Sequence, residues 1–256
     1  MLSVIVPTYN ERETLPRLFE RLRQVAHELP LEVIVVDDSS PDGTGALAEE
    51  MRQYFASEFA VTIVHRPGKG GLSSAVLDGL RIARGDCITV MDADLSHPPE
   101  MLSHLVKAIQ EGYDIAIASR YVPGGGIERW PLWRRIASVG ATALARRVLR
   151  ISVHDPLSGF FAARRAILEG RPFLALGYKL LLEVLVRSPG ARVIEVPYTF
   201  VERQGGKSKL SLKEVWDFLV LLVNLKRSPS QSFNHAHRVD SADRADRADC
   251  VDQDRR

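Results

Sequence analysis

The stretch Ile88-Thr-Val-Met-Asp-Ala-Asp-Leu-Ser-His-Pro98 decides how this chain is read. Apolar and β-branched residues over 87–91 predict a strand buried on both faces. The strand stops at two carboxylates one residue apart, Asp92 and Asp94, and Pro98-Pro99 opens the next element. Carboxylates at the carboxyl end of a parallel strand stand on the rim where open α/β sheets bind ligands. With Ala93 between them, both can reach one hard cation or a ribose. Two like charges this close repel, which favours a divalent metal that neutralises them. The plainer alternative makes Asp94 a cap for the helix that starts near Pro98. It accounts for one carboxylate and leaves the pair unexplained.

The flanking sequence repeats the pattern. Residues 2–6 predict a first strand ending in Pro7-Thr-Tyr-Asn-Glu11, and Thr14 is placed to cap a helix whose apolar positions are Leu15, Leu18, Phe19, Leu22 and Val25. Residues 31–36 predict a second strand, followed by Asp37-Asp-Ser-Ser-Pro-Asp-Gly43 and a helix over 44–54. A third strand at 61–64 leads to Arg66-Pro-Gly-Lys-Gly-Gly-Leu72 and a helix through Ala75, Leu77, Leu80 and Ile82. After the Asp-Ala-Asp strand, a helix over 100–110 precedes a fifth strand at 115–118. Five alternations argue for a parallel sheet with right-handed crossovers, a nucleotide-binding α/β domain over roughly the first 120 residues. Turns at the carboxyl ends of parallel strands lie side by side, so Glu11, Asp37/Asp38 and Asp92/Asp94 are expected to line one crevice. Asp38 suits a base or ribose hydroxyl, and Glu11 a ribose hydroxyl. Taken alone, Asp38 also fits as a turn residue of Asp-Ser-Ser-Pro-Asp-Gly.

With 256 residues, 45% apolar and 26% charged, the composition is that of a soluble globular protein of one or two domains. A formal charge of +2 gives no indication of nucleic acid. Cys87 falls inside a strand and Cys250 in a polar tail, so no disulfide and a reducing compartment are expected. Met1-Leu-Ser-Val-Ile-Val reads as a strand start rather than a signal peptide, because no basic segment precedes it. The longest unbroken apolar run, 218–223, is far short of a membrane span. Gly68-Lys-Gly-Gly71 lacks dinucleotide-loop spacing, and Gly205-Gly-Lys-Ser208 has Val201 where a P-loop needs glycine. Both read as flexible loops.

Composition shifts after Ser119-Arg-Tyr121. Gly124-Gly-Gly126 reads as a hinge-like loop, and Glu128-Arg-Trp-Pro-Leu-Trp-Arg-Arg135 begins a helix to about residue 149. Arginines 129, 134, 135, 146, 147 and 150 stand there without an acid, beside Trp130, Trp133, Ile136, Val139, Leu144 and Val148. That mixture fits an interfacial membrane helix, or an amphipathic helix packed on the sheet with a solvated face. A nucleic-acid helix ranks third, since the rest of the chain has no basic field. Asp155-Pro-Leu-Ser-Gly-Phe-Phe161 reads as a turn into a short strand. Gly177-Tyr-Lys-Leu-Leu-Leu-Glu183 begins an apolar helix to 186, in which Glu183 is either an interior carboxylate with a role or a partly exposed residue. A strand over 193–201, broken by Pro197, belongs at a sheet edge. Arg203-Gln-Gly-Gly-Lys-Ser-Lys209 suits phosphate, Arg as a fork and Lys as a point charge, or is ordinary surface loop. Ser211 caps a last helix through Leu212, Val215, Trp216, Leu219, Leu222 and Leu225, too short for a span and therefore interfacial or partner-bound. From 228 onward Asp, Arg, Ala and Ser recur without an apolar period, which predicts disorder.

Taken in order, Val6-Pro-Thr-Tyr-Asn-Glu11, Val36-Asp-Asp-Ser-Ser-Pro-Asp-Gly-Thr44, Met91-Asp-Ala-Asp-Leu-Ser-His-Pro98, Ser119-Arg-Tyr121, Asp155-Pro-Leu-Ser-Gly-Phe-Phe161 and Arg203-Gln-Gly-Gly-Lys-Ser-Lys209 closely resemble the dolichol- or polyprenol-phosphate mannosyltransferases, over roughly residues 2–226. The resemblance implies an inverting, metal-dependent family 2 glycosyltransferase of GT-A fold: a mostly parallel central sheet flanked by helices, with a C-terminal interfacial helix. It implies that Pro7, Tyr9, Glu11, Val36 and Asp38 hold the guanosine of GDP-mannose. Asp92 and Asp94, with Ala93 between them, would hold Mg²⁺ or Mn²⁺ on the donor diphosphate. Arg120, Arg203 and Lys209 would meet the donor or acceptor phosphates and join Asp94 as catalytic residues. Some relatives carry Gln as an extra metal ligand where Ser96 stands; serine is a poorer ligand, so a water would take that place.

The implied organisation is a catalytic domain over 1–210 (nucleotide half about 1–120, acceptor half about 121–210), an interfacial helix over 211–227 and a polar tail over 228–256. Many relatives continue into transmembrane helices, whereas this chain resembles the subgroup without them. The expected place is peripheral, on the cytoplasmic side of a membrane, by direct contact or through a membrane-anchoring partner, with no nucleic acid. The acceptor, a polyprenyl or dolichyl phosphate, has a second pKa of about 6 and is already nucleophilic at neutral pH. It needs no strong general base. The site must bring two anions together with cations and stabilise the departing diphosphate through the metal. The rival enzyme reading is a UDP-glucose:polyprenyl-phosphate transferase. From another class, the chain could be a catalytically idle lipid- or nucleotide-binding partner in a membrane complex, against which the intact Asp-Ala-Asp and cationic loop argue.

Overall fold

Unbroken apolar runs of β-branched residues make strands that must be covered on both faces, and the amphipathic helices between them supply the cover. The computed structural model describes residues 1–171, 173–174, 179–201 and 212–227. The first half of the chain forms β1 (Leu2–Thr8), α1 (Leu15–Ala26), β2 (Leu31–Asp37), α2 (Thr44–Tyr54), β3 (Ala60–His65), α3 (Leu72–Ile82), β4 (Cys87–Val90), α4 (Met101–Gln110) and β5 (Ile115–Ser119). Next come β6 (Gly126–Glu128), α5 (Leu132–Leu149), β7 (Phe161–Arg164), α6 (Arg165–Leu168), α7 (Leu180–Arg187), β8 (Val193–Pro197), β9 (Thr199–Val201) and α8 (Leu212–Arg227).

Seven strands form one sheet in the order β3-β2-β1-β4-β7-β5-β8. The pairings are parallel except those of β7, which runs antiparallel to both β4 and β5. The run of five alternations anticipates the parallel strands but not this insertion. Its direction follows from the path of the chain: β5 leaves the sheet at its carboxyl rim, and the chain between β5 and β7 re-enters from that side. Side chains alternate across the sheet, Val4 and Val6 entering one core layer with α1 and α4, and Ile5 the other with α3 and α7. Glu183 of α7 is fully buried, which decides in favour of an interior carboxylate.

Three local expectations are corrected. Thr14 occupies the N-cap position of α1, yet its hydroxyl turns back to the Glu11 carbonyl (3.1 Å) and carboxylate (2.8 Å) instead of capping. Pro16 follows in the first turn and has no N–H to donate to such a cap. The helix expected from 128 begins at Leu132, because Pro131 sets extended backbone (ψ 148°) at its N-cap and disfavours helix before it. Gly126, expected within a hinge-like loop, starts β6, which pairs with β9 in a second, two-stranded sheet. As expected, β8 lies at a sheet edge and ends in Pro197. Helix α8 packs Leu221, Leu222 and Leu225 with Ala145 of α5 and leaves Val215, Trp216, Leu219 and Val223 exposed. Among the described residues no helix is long and apolar enough to cross a membrane. The Gly177 helix start, the Arg203–Lys209 loop, the Ser211 cap and the tail from 228 lie outside the described residues.

Helix α3 sits close enough to the sheet that a Cβ on Gly79 would lie 2.7 Å from Ile5 Cγ2 and 3.2 Å from Val36 Cγ2. Alanine gains about 1 kcal/mol over glycine in a helix, but overpacking costs about 1–3 kcal/mol. Gly79→Ala is therefore expected to lower stability by about 1 kcal/mol in urea unfolding. Gly140→Ala on α5, where nothing lies within 4 Å, should raise it by about 0.5–1 kcal/mol.

Candidate active site

Because β1, β2 and β4 are parallel neighbours, the residues that follow them emerge along one rim. After β1, the Glu11 amide donates to Thr44 Oγ1 (2.9 Å), while its carboxylate accepts from Thr14. Tyr9 is 38% exposed, with Lys69 Nζ 3.6 Å from its ring centroid. Pro7 is half-buried at the end of β1, in register with Val36. Val36 itself is fully buried, its side chain against α3, so its carbonyl is what it offers the rim; that carbonyl accepts from Thr8 Oγ1 (3.4 Å).

The two acids after β2 divide their work. Asp37 accepts from Thr8 Oγ1 (3.2 Å) and from the amide (3.1 Å) and hydroxyl of Ser40, so it builds the turn. Asp38 pairs with Arg66 and accepts the Gly71 amide (3.0 Å). Arg66 is held in turn by Asp78 (3.0 Å) and Ser74 (2.9 Å). The glycine-rich loop over 66–71, read from sequence as flexible chain, thus touches two expected nucleotide residues, Tyr9 and Asp38. A cavity of ≈ 400 Å³ lies beside it, lined by Asp37, Ser39, Ser40, Gly43, His65 and Arg66 among others.

Asp92 and Asp94 stand partly exposed at the end of β4, with Ala93 between them buried in the core. Asp94 Oδ1 accepts the Ser96 amide (3.0 Å), closing a turn in which Leu95 adopts φ 63°. It does not cap the next helix: the N-cap of α4 is Glu100, without a side-chain cap bond. The Asp92 amide donates to His97 Nδ1 (3.0 Å), and His97 stacks on Phe160 at 4.9 Å. Burial pushes His97 down to about 4, helped by Arg120 and opposed by Asp94 and Asp155, so the ring is neutral near pH 7 and able to accept that bond. His97 is quoted in the motif, but nothing in the sequence assigned it this role. Its ring also lies within 3.3 Å of where a Gly159 Cβ would stand, so the Asp155–Phe161 segment closes onto the same turn.

The residues at this turn fit a hard divalent cation. Two adjacent carboxylates offer oxygen donors, and the buried Ser96 hydroxyl has no hydrogen-bond partner among the described residues. Among the described residues no three His, Cys, Asp or Glu side chains gather as a metal site, so the two carboxylates and the Ser96 hydroxyl are the donors this turn offers.

Arg120 follows β5, beyond β4 and β7 from the nucleotide side. Its Nε and Nη2 each lie 2.8 Å from Asp155, and its amide donates to the same carboxylate (3.1 Å). The arginine side chain is 9% exposed and Asp155 is fully buried. Burial opposes the guanidinium charge, but the hydrogen bonds and charge of Asp155 outweigh it and hold Arg120 above its ordinary pKa. Trp130 links it to a second cation: Arg120 and Arg134 lie 5.7 and 4.2 Å from that ring. Lys179, just before α7, feels Arg120, Asp155, Glu214 and Asp92; burial first, then Arg120, lower its pKa. Neither Lys179 nor Asp155 could be found from spacing, since each meets the site through contacts far apart in sequence. Arg203 and Lys209 lie outside the described residues. Asp155→Ala, which strands a buried guanidinium, is expected to cost about 3–5 kcal/mol in denaturant unfolding, and Arg120→Met/Asp155→Leu much less.

The model of the family described as Glycosyl transferase family 2 matches residues 3–171. The chain is 46% identical over 228 residues to Dolichol-phosphate mannosyltransferase of Pyrococcus furiosus, covering 88% of this chain and 64% of that one. It thus spans less than two thirds of that relative's length. It is 45% identical over 217 residues to Polyprenol monophosphomannose synthase of Mycolicibacterium smegmatis, covering 81% of this chain and 80% of the relative. Among solved structures, glucosyl-3-phosphoglycerate synthase from Mycobacterium tuberculosis, in complex with Mn²⁺, UDP-glucose and phosphoglyceric acid, superposes with a TM-score of 0.68 at 20% identity over 90% of this chain and 81% of that one. Mannosyl-3-phosphoglycerate synthase from Rubrobacter xylanophilus gives 0.63 at 22% identity over 88% and 72%. These two likenesses bear on the fold, which is the α/β GT-A arrangement of a mostly parallel sheet between helices. With the family model matching from β1 through β7 and relatives above 40% identical over four fifths of its length, the chain belongs to glycosyl transferase family 2.

Proposed function

We propose that this chain transfers mannose from GDP-mannose to a dolichyl or polyprenyl phosphate with inversion. The observation that carries the reading is the position of Asp92 and Asp94 at the end of β4, which pairs with β1 on the side of the Tyr9–Glu11–Asp38 rim and with β7 on the side of Arg120. The names of the relatives support the sugar and the lipid phosphate. On this reading Pro7, Tyr9, Glu11, the Val36 carbonyl and Asp38 hold the nucleoside. The proposed organisation keeps a nucleotide half to about residue 120, an acceptor half to 210, an interfacial helix over 211–227 and a polar tail beyond.

Asp92 and Asp94 would hold Mg²⁺ or Mn²⁺, which when bound neutralises charge on the departing diphosphate. The chain's own side chains do the rest. Arg120 and Lys179, with Arg203 and Lys209 of the cationic loop, draw the acceptor phosphate against the repulsion of the donor. An oxygen of that phosphate forms a bond to the anomeric carbon as the bond to the GDP oxygen breaks on the opposite face. Since the nucleophile is a monoester with a second pKa of about 6, no side chain need remove a proton.

A peripheral place at a membrane, by direct contact or through an anchoring partner, is part of the reading. Helices α5 and α8 leave Leu132, Trp133, Ile136, Val139, Trp216 and Val223 exposed, next to exposed Arg135 and Arg147. Replacing both Trp133 and Trp216 by Glu should reduce flotation with anionic vesicles by about tenfold or more while leaving the unfolding midpoint unchanged.

The central test uses radiolabelled GDP-mannose and UDP-glucose with a short prenyl phosphate. Mannose transfer is expected with Mn²⁺ or Mg²⁺ and none after chelation. Asp94→Ala should lower it at least about a hundredfold with an unchanged circular dichroism spectrum. Preferential glucose transfer would replace the donor assignment, and near wild-type activity of Asp94→Ala under saturating metal would refute the site.

A further inference from the structure

We propose that Glu195 is a positioning residue that, acting through Asp155 and Ser119, aims Arg120 at the acceptor phosphate; this rests on the reading of Arg120 as a phosphate ligand. Glu195 lies on β8, the edge strand beside β5, in register with Ile117. Its carboxylate is 11% exposed and takes donors on both oxygens. Oε1 accepts the Ser119 hydroxyl (2.8 Å) and the Asp155 amide (2.9 Å). Oε2 accepts the His154 amide (2.8 Å) and lies 2.9 Å from His154 Nδ1. Ser119 immediately precedes Arg120, and Asp155 is the partner of the Arg120 guanidinium. One edge-strand carboxylate thus ties together both segments that hold the arginine.

The donor set requires a carboxylate. Two backbone N–H groups, a hydroxyl and an imidazole converge on the two oxygens, and a glutamine would turn an NH₂ toward part of that set. Burial opposes the charge, but the converging donors outweigh it and hold the Glu195 carboxyl below its usual pKa. A covering role on an edge strand would be met by an apolar side chain, with no charge to desolvate. Rigid aim has a use here. Nε and Nη2 are engaged by Asp155 and among the described residues Nη1 has no hydrogen-bond partner, so an uncertain rotamer would blur where that end points. The sheet order places Arg120 beyond β4 and β7, roughly 10 Å from the Asp92 strand at about 4.8 Å per strand and on the side away from β1 and β2, which favours the acceptor as its ligand over the nucleoside.

The test compares wild type, Glu195→Gln and Glu195→Asp as full chains, with three readouts: KM for a short prenyl phosphate, calorimetric affinity for GDP with Mn²⁺, and the ¹⁵N side-chain signal of Arg120 Nε–H. Glu195→Gln is expected to raise the acceptor KM about tenfold, to change GDP affinity less than twofold, and to broaden or shift the Arg120 signal. Glu195→Asp should recover part of the loss. An unchanged KM together with an unchanged Arg120 signal would overturn the positioning role. So would parallel losses in KM, kcat and GDP affinity with a lowered unfolding midpoint, because that pattern marks a purely structural part. If wild type transfers no sugar to any prenyl phosphate, the functional reading fails, while the Arg120 signal still decides whether Glu195 holds the arginine.

Discussion

Two carboxylates held one residue apart at the carboxyl end of one strand are the constraint on which this molecule turns. The backbone that carries Asp92 and Asp94 is fixed: Met91 and Ala93 are buried in the core, the Asp92 amide is bonded to a buried imidazole, and Asp94 closes a turn with Ser96. A charge pair held this way costs free energy until a cation and a phosphate occupy it, which makes the turn a preorganised site in place of a flexible one. The surrounding rim is consistent with that demand. Nucleotide-side acids are tied down by their own donors, Arg66 among them, and Arg120 stands on the far side of β4.

Much of the polar structure around the site serves to hold charge still. Asp38 is paired with Arg66, Arg120 with Asp155, and Asp155 with Glu195 through its amide. Buried pairs of this kind contribute little net stability compared with apolar packing, because desolvation offsets the attraction. What they supply is geometry. The two hydrophobic layers on either face of the sheet carry the fold, and the ion pairs decide where functional groups point.

How much of this was legible in the sequence depends on the range of the interaction. The strands and helices through residue 119 follow from apolar periodicity, and the sharing of one rim by Glu11, Asp38 and Asp92/Asp94 follows from the parallel order they imply. The antiparallel β7 was not legible, since a four-residue strand carries no sign of its direction or neighbours. Thr14 had the right residue type and position for a cap, but the proline two residues on removed one of the two N–H donors and its hydroxyl is taken by Glu11. Asp38 with Arg66 and Arg120 with Asp155 are contacts across 28 or more residues, and no local spacing encodes them. Glu195 illustrates the limit best: in sequence it is one acid in a Val-Ile-Glu-Val-Pro strand, and only the fold shows four donors converging on it.

The most direct measurement is a crystal structure of the chain soaked with GDP-mannose and Mn²⁺. The ion is expected between Asp92 and Asp94 with the diphosphate on it, and the base on the Tyr9–Asp38 side of β4. A diphosphate bound away from those two carboxylates would contradict it.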